Sequence, residues 1–424
     1  MNQLLRDIIV QAIDNKATEL KDISDELWKN AEVGFEETNA RKVITEFLRK
    51  EGFAVSEKLP EDNRLKTSFV AKYGNPDGLK VGLCCEYDAL PFGETEEGEV
   101  NYEHACGHNL IAEAGIGAAL GLKAVYDASK HMKMQIIVYG TPGEENGGGK
   151  VLMIKEGLFD EADICIMAHP APAEVAGAVT LANIKMMIQF KGAPSHAALA
   201  PWLGKNALDA CVSCYNNISM LRQQCEPINR IHINITRGGD VINVIPDFAE
   251  MKVMIRCPDL DKCDEIRQQI MQCAEGAAAA TGCEPPHFED TGNGIDSVKT
   301  NKVLIDLYKK HAESFGNVFL SDEEASGMNG STDMGNVTHK VPGFHPGFKI
   351  YTGEEQAVNH THGFVKWAGH EDNQKPTLIN AKCLALTAVE VVANPDLFQQ
   401  VKDEFEAAKK DKKVMKATEL WCTH

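Results

Sequence analysis

The sequence predicts an α/β fold carrying a smaller inserted α+β unit, and three observations support this. Three short apolar runs rich in strand-type residues, Lys80–Glu86 (KVGLCCE), Met134–Tyr139 (MQIIVY) and Asp163–Met167 (DICIM), read as buried strands of one central sheet. An Ala- and Gly-rich apolar segment, Leu110–Ala128, lies between the first two and is long enough for a helix packed on that sheet. Near Asn183 the texture changes to a strand-helix-strand-strand-helix series ending near Ser297, a compact insertion in a chain whose 424 residues are about three times a typical domain.

Taken in order, Gln3–Trp28 places Leu4, Ile8, Ala12, Ile13, Leu20, Ile23 and Leu27 on one helical face, and a second helix is expected over Glu37–Glu51. The three strands and the Ala-rich helix follow. In the insertion, KMMIQF, Arg230–Thr236 and Glu250–Arg256 read as strands, and Asn206–Gln224 and Lys262–Thr281 as helices. The outer domain is then expected over 1–182 plus 298–424 and the inserted one over 183–297. A last helix runs from Pro376 to Leu397, and the charged tail Lys402–Lys416 reads as a solvated helix.

Composition excludes several classes. Apolar residues at 43% and charged residues at 25% supply a sizeable core and rule out global disorder. A formal charge of −19 repels phosphate backbones and anionic lipid, so neither nucleic acid nor membrane is expected as a partner. No apolar stretch reaches the ~18 residues of a membrane span. The 13 scattered cysteines and the charged start suggest reduced thiols in a cytoplasmic protein. The CxxC pair Cys211 and Cys214 falls inside a predicted amphipathic helix and reads as buried packing.

Reactive residue types gather where each predicted strand runs out: CEYDALP from Cys85, TPGEENGGG from Thr141 and AHP from Ala168. Sites in open α/β sheets lie outside the carboxyl ends of strands. In His104-Ala-Cys106-Gly-His108 a thiolate and an imidazole can share one ion if the chain turns tightly at the glycine, and a buried Cys beside a core His is the alternative. Glu144 and Glu145 sit together on a glycine-rich loop after a strand, where one carboxylate can bind a metal while its neighbour faces water. With His169 and either His360 or His362 downstream, Cys106, His108, Glu145, His169 and His360 make five ligands suited to one or two zinc- or manganese-type ions.

These motifs, in order, resemble the carboxypeptidase-G and aminoacylase family of metallopeptidases, in the amidohydrolase branch marked by HACGH. The resemblance spans nearly the whole chain: Asn30–Glu36, Cys85–Pro91, His104–His108, Thr141–Gly149, Ala168–Pro170, Lys191–His196, Asn243–Pro246, Ser331–Asp333 and Asn359–His360. It implies a phosphorylase/hydrolase-like core with a central mixed sheet and a ferredoxin-like lid that also serves homodimerisation. It further implies Cys106, His108, Glu145, His169 and His360 as ligands, Glu144 as general base, and Asp88 as the group orienting a ligand. His196 would steady the oxyanion, and Asn243 and Arg256 would hold the substrate end, Arg256 through a carboxylate. Glu86 departs from the wider family, where many relatives carry a metal-binding His, and the acidic stretch 92–103 is longer than expected, either an inert loop or a rim attracting cationic substrates.

The phrases LCCEYDALP, HACGHNLIAEAG and GTPGEENGGGK look closest to a group within the branch that cleaves dipeptides ending in Lys, ornithine or Arg. The expected function is therefore hydrolysis of such dipeptides by metal-activated water with a Glu base, with general N-acyl-amino-acid hydrolysis as the alternative. Two rivals remain: a Cys106 nucleophile activated by His108, and a non-catalytic protein with a structural zinc.

Overall fold

In the computed structural model the described residues are 2–56, 60–94, 98, 100–129, 132–177, 180–325, 330–354 and 356–419. The chain forms two compact units, one made of Met1–Val179, Val298–Asn329 and Asn336–His424, the other of Thr180–Ser297 and Gly330–Gly335. Its strands are β1 (Ala54–Val55), β2 (Phe69–Gly74), β3 (Leu79–Glu86), β4 (Leu90–Glu94), β5 (Val100–Glu103), β6 (Met134–Thr141), β7 (Ile164–Ile166), β8 (His169–Ala171), β9 (Ala182–Lys191), β10 (Arg230–Arg237), β11 (Phe248–Cys257), β12 (His287–Asp290), β13 (Gly343–Phe344) and β14 (Gly347–Lys349).

In the first unit six strands form a mixed sheet in the order β1-β2-β6-β3-β7-β13. β6, β3, β7 and β13 are parallel, while β1 and β2 extend the sheet antiparallel. The three apolar runs are the inner strands, and every residue of β6 is buried. A parallel strand covered on both faces needs an unbroken apolar run, which is why these segments read clearly. Helix α1 (Gln3–Asp14), α2 (Ala17–Lys29), α3 (Thr38–Lys50) and α4 (His108–Ala128) pack into one core with these strands. The expected single face over 3–28 is thus two helices, broken at Asn15 and Lys16, where the Lys16 ammonium turns to Glu19 and Glu51. Likewise the closing helix expected over 376–397 ends at Val392, and a second begins at Pro395, bent by 101° from the first. The side chains of 411–419, within the predicted charged tail, lie outside those described. Among the described residues no single helix is long and apolar enough to cross a membrane.

The acidic stretch 92–103 lies on a hairpin: β4 pairs antiparallel with β5, while residues 95–97 and 99 fall outside the described set. The second unit is an antiparallel sheet in the order β10-β11-β9-β12 sharing one core with α7 (Ala207–Leu221) and α8 (Leu260–Thr281). This is the ferredoxin-like order. β12 completes it, a strand of four residues that the sequence pattern did not reveal. Cys211 and Cys214 are both fully buried on α7. Gly330–Gly335, expected with the outer domain, clusters with the second unit because the Leu181 amide donates to the Gly330 carbonyl and the Ser331 hydroxyl to the Leu181 carbonyl.

Candidate metal centre

The parallel strands of the first unit end on one edge, and each delivers polar groups there. Glu86 is the last residue of β3, with Asp88 just beyond it. After β6 the chain turns through Gly143, in the left-handed region, into the short helix Glu144–Gly147 (α5), and His169 follows β7 by three residues. His108 opens α4 after Gly107, whose φ of +75° makes the tight turn that brings Cys106 and His108 to one place. A Cβ at Gly107 would also lie 2.7 Å from the Pro170 ring.

Ligand atoms of Cys106, His108 and His169 lie within 4.8 Å of one another, as do those of Cys106, Glu145 and His360, and those of His108, Glu144 and Glu145. The five expected ligands and Glu144 therefore share one site. The Cys106 Sγ is 3.3 Å from His169 Nε2, and His360 Nε2 is 3.5 Å from Glu145 Oε1. His362 points elsewhere, its ring 4.4 Å from Phe92 and its Nδ1 3.6 Å from Glu103. His104, part of the same motif, also lies apart, with its Nε2 against the Leu27 carbonyl at 3.1 Å.

The surrounding bonds orient these atoms. His108 Nδ1 donates to Asp88 Oδ1 at 3.0 Å, and the other Asp88 oxygen accepts the Glu145 amide at 3.0 Å. His169 Nδ1 donates to the Pro170 carbonyl at 2.8 Å, which leaves Nε2 with a lone pair facing Cys106. Asn359 donates to that same carbonyl at 3.2 Å and reaches the Cys106 sulfur at 3.9 Å. Among the described residues, buried His108 Nε2 and Glu86 Oε2 have no hydrogen-bond partner and stand 3.4 Å apart, and buried Glu145 Oε1 is reached by His360 Nε2 at 3.5 Å. Unsatisfied buried atoms are costly, and a divalent ion answers several at once, so the donor set fits one.

Burial and the carboxylates act on these groups in different directions. Burial lowers the His108 imidazole, but the Asp88 and Glu86 carboxylates outweigh it and hold the pKa well above its ordinary value, as a net anionic pocket must. Burial pushes His169 down to about 4, keeping it neutral as a ligand must be. Burial, then the Glu145 charge, pushes the Cys106 thiol up. Burial raises Glu145, but the His360 hydrogen bond and the His108 charge bring it below the usual carboxylate range.

Three residues at this centre escaped the sequence reading. Lys150, fully buried on α6 (Gly149–Lys155), donates to Glu86 Oε1 at 2.5 Å, so the residue standing in for a histidine is held by a cation. Burial raises the Glu86 carboxyl, and the Lys150 charge overrides it to about 2. His345 lies buried 5.6 Å from the His169 ring, its Nε2 without a hydrogen-bond partner among the described residues. A lone His in Gly343-Phe-His-Pro346 has no spacing that could have singled it out. Glu37, buried beneath the Glu144 loop, stands one position beyond the Asn30–Glu36 motif.

His196, Asn243 and Arg256 belong to the second unit. His196 bridges to Val244, and the Ala197 amide donates to the Asn243 carbonyl, so the two motifs lie side by side. The His196 Nδ1 accepts the amides of Ala198 and Leu199, both at 3.2 Å, which puts its proton on Nε2 and makes that atom a donor. Arg256, on β11, donates to the Ser331 hydroxyl at 3.0 Å.

A mixed α/β sheet with a His, Cys and carboxylate cluster at its strand ends is the architecture of a metal-dependent hydrolase. Residues 82–369 match the family described as Peptidase family M20/M25/M40, and the chain belongs to that family. It is 37% identical to mouse Xaa-Arg dipeptidase over 421 residues, covering 97% of this chain and 95% of that one. It is 35% identical to the human Xaa-Arg dipeptidase over 431 residues, covering 98% and 95%. The fold is similar to that of a Bacillus subtilis dinuclear metal-binding peptidase of the M20 family, with a TM-score of 0.68, 21% identity, and coverage of 90% of this chain and 99% of that one. The protein is a metallopeptidase, a hydrolase acting on peptide bonds.

Proposed function

We propose that the chain hydrolyses dipeptides ending in a basic residue, such as Lys, ornithine or Arg, with Glu144 as general base. One observation carries the mechanism: five residues of ligand type and an adjacent second carboxylate converge at one sheet edge. The likeness to two Xaa-Arg dipeptidases over nearly their full length supports the substrate class.

One or two divalent ions, zinc or manganese, held by Cys106, His108, Glu145, His169 and His360 would polarise the scissile carbonyl and bring a water's pKa toward ~7. Glu144 takes the proton from the attacking water and returns it to the leaving amine. Asp88 fixes the tautomer of His108 through Nδ1 and the position of Glu145 through its amide. His196 Nε2–H is assigned the oxyanion, and Asn243 and Arg256 the substrate end. The second unit is assigned the lid and a homodimer contact, which is supported by exposed apolar residues Trp202, Leu203 and Ile242 on it. A cytoplasmic location is supported by the thiols, none of them disulfide-bonded among the described residues.

The test is amine release from β-alanyl-lysine, β-alanyl-ornithine, an acyl-glutamate and an acyl-leucine, with manganese- or zinc-loaded enzyme. Selective cleavage of the basic dipeptides, with Glu144→Gln slower by about 10³-fold, supports the reading. Cleavage of the acyl-amino acids alone moves the protein to the general amidohydrolases. Glu144→Gln at the wild-type rate would overturn the mechanism.

A further inference from the structure

The segment preceding α3 contains no residue assigned to ligand or substrate, yet it grips the loop bearing Glu144 from below. Phe35 has a φ of +69°, a left-handed conformation that is uncommon for a residue other than glycine and costly for a bulky one. That backbone places its ring against the loop. A Cβ at Gly143 would stand 2.6 Å from the Phe35 ring, and one at Gly147 would stand 2.1 Å from it, so only glycine fits either position. Two residues later Glu37, fully buried, accepts the Gly143 amide on Oε1 at 2.8 Å and the Thr67 hydroxyl on Oε2 at 2.6 Å. The Glu145 amide meanwhile donates to Asp88. Both amides flanking Glu144 are therefore held by buried carboxylates from different parts of the chain.

Packing alone does not account for Glu37. Burying a carboxylate is expensive, and an apolar side chain of similar volume would fill the space without that cost. A side chain that ends on the amide immediately before Glu144 has a geometric consequence instead. The loop is rich in glycine and has few intrinsic restraints, so the hydrogen bond at Gly143 sets where α5 begins and hence where Glu144 stands.

We infer that Glu37 is a positioning residue for Glu144, an inference that rests on the reading of Glu144 as base. Glu37 belongs to none of the ligand clusters and has no assigned role toward substrate. It acts through the Gly143 amide, with Phe35 as the wedge that seats the loop on it. Its removal is expected to lower kcat and leave KM unchanged, because a base displaced by roughly 1 Å costs on the order of 10²-fold in rate.

The experiment compares wild type, Glu37→Leu, Glu37→Asp, Glu37→Gln and Glu144→Gln for kcat, KM, bound metal, thermal unfolding and hydrogen exchange of a peptide spanning 141–149. Glu37→Leu should lose about 10²-fold in kcat, with metal content kept and faster exchange at Gly143. Glu37→Gln should recover most of the rate, since its amide oxygen still accepts Gly143 and its NH₂ reaches Thr67. Should Glu37→Leu fail to fold, Glu37→Asp carries the test, being one methylene too short to hold both partners and so expected to lose kcat and exchange faster. Wild-type kcat and exchange in whichever of these two folds would overturn the inference, as would equal losses in Gln and Leu that track stability alone. If Glu144→Gln keeps full activity, the reading of the base fails instead. In that case the exchange data still decide whether Glu37 holds the loop.

Discussion

The two sheets of this protein follow opposite rules. In the first unit β6 is buried at all eight positions, and Val138 sits between Ala71 on β2 and Leu83 on β3. In the second, β9 and β11 alternate: Met186, Ile188 and Phe190 face the core with α7 and α8, while Lys185, Met187 and Gln189 face away. A sheet covered on both faces holds few polar groups along its length, Gln135 near the start of β6 among them, and collects the rest at its strand ends, where Glu86, Glu144 and His169 lie. A sheet with one open face spreads them over its surface. The same contrast predicts where substitutions are tolerated. Val138→Gln buries an amide without a partner in a packed layer and should cost about 3 kcal/mol or more, enough to lower the unfolding midpoint of the first unit sharply. Met187→Gln, opposite Lys252 on the other sheet, should change stability by less than about 1 kcal/mol in the same denaturant titration. Equal losses would break the distinction.

The ion pairs sharpen it. Lys150 and Glu86 are both fully buried, whereas Arg267 of α8 meets Asp290 of β12 at 2.9 Å in partial contact with solvent. Lys150→Met removes the ammonium at 2.5 Å from buried Glu86, leaving His108 Nε2 at 3.4 Å, and should destabilise the metal-free enzyme by about 3 kcal/mol. Adding Glu86→Leu should restore much of that loss. Arg267→Met removes a screened surface pair and should cost about 0–1 kcal/mol. A Lys150→Met enzyme of wild-type stability would show that Glu86 finds another partner or takes up a proton at little cost.

Much of the first unit was legible because unbroken apolar runs and glycine-punctuated polar clusters occur side by side in its sequence. KVGLCCE followed by EYDALP shows both the strand and the place where it stops. Glu145 and His169 could be proposed for the same reason, each following a predicted strand, and Cys106 and His108 flank a glycine turn, whereas His360 follows no predicted strand and was reached only by counting ligand types along the chain. β12, β13 and β14 are too short to carry a period, and they form by pairing with strands already in place. His345 enters the centre through the β13–β14 crossing, a long-range consequence of topology that no local pattern encodes. Lys150 shows the limit from the other side: read locally, a Lys after three glycines is a surface residue, and only the parallel pairing of β3 with β6 brings Glu86 to its ammonium. The break at Asn15 and Lys16 was hidden because one apolar face continues across both helices.

Titration separates the two faces of α4. His108 on its first turn serves the centre, while Asn109 and Glu113 turn away into the core beside Ser24 of α2, where Asn109 donates to the Ser24 hydroxyl at 3.0 Å. Burial raises the Glu113 carboxyl to about 8. Its folded-state pKa thus lies above its unfolded value, so the folded chain holds a proton that the unfolded chain has released once pH passes about 4.3. Stability from this group is complete below that point and falls as pH rises toward 8, with a slope on the order of 1.4 kcal/mol per pH unit. Glu113→Gln keeps the neutral shape and removes the titration, so its unfolding free energy relative to wild type should increase steadily between pH 5 and pH 8 and level off above. A constant difference across that range would mean that Glu113 stays ionised in the fold, and that the inner face of α4 resembles the metal centre more closely than its burial implies.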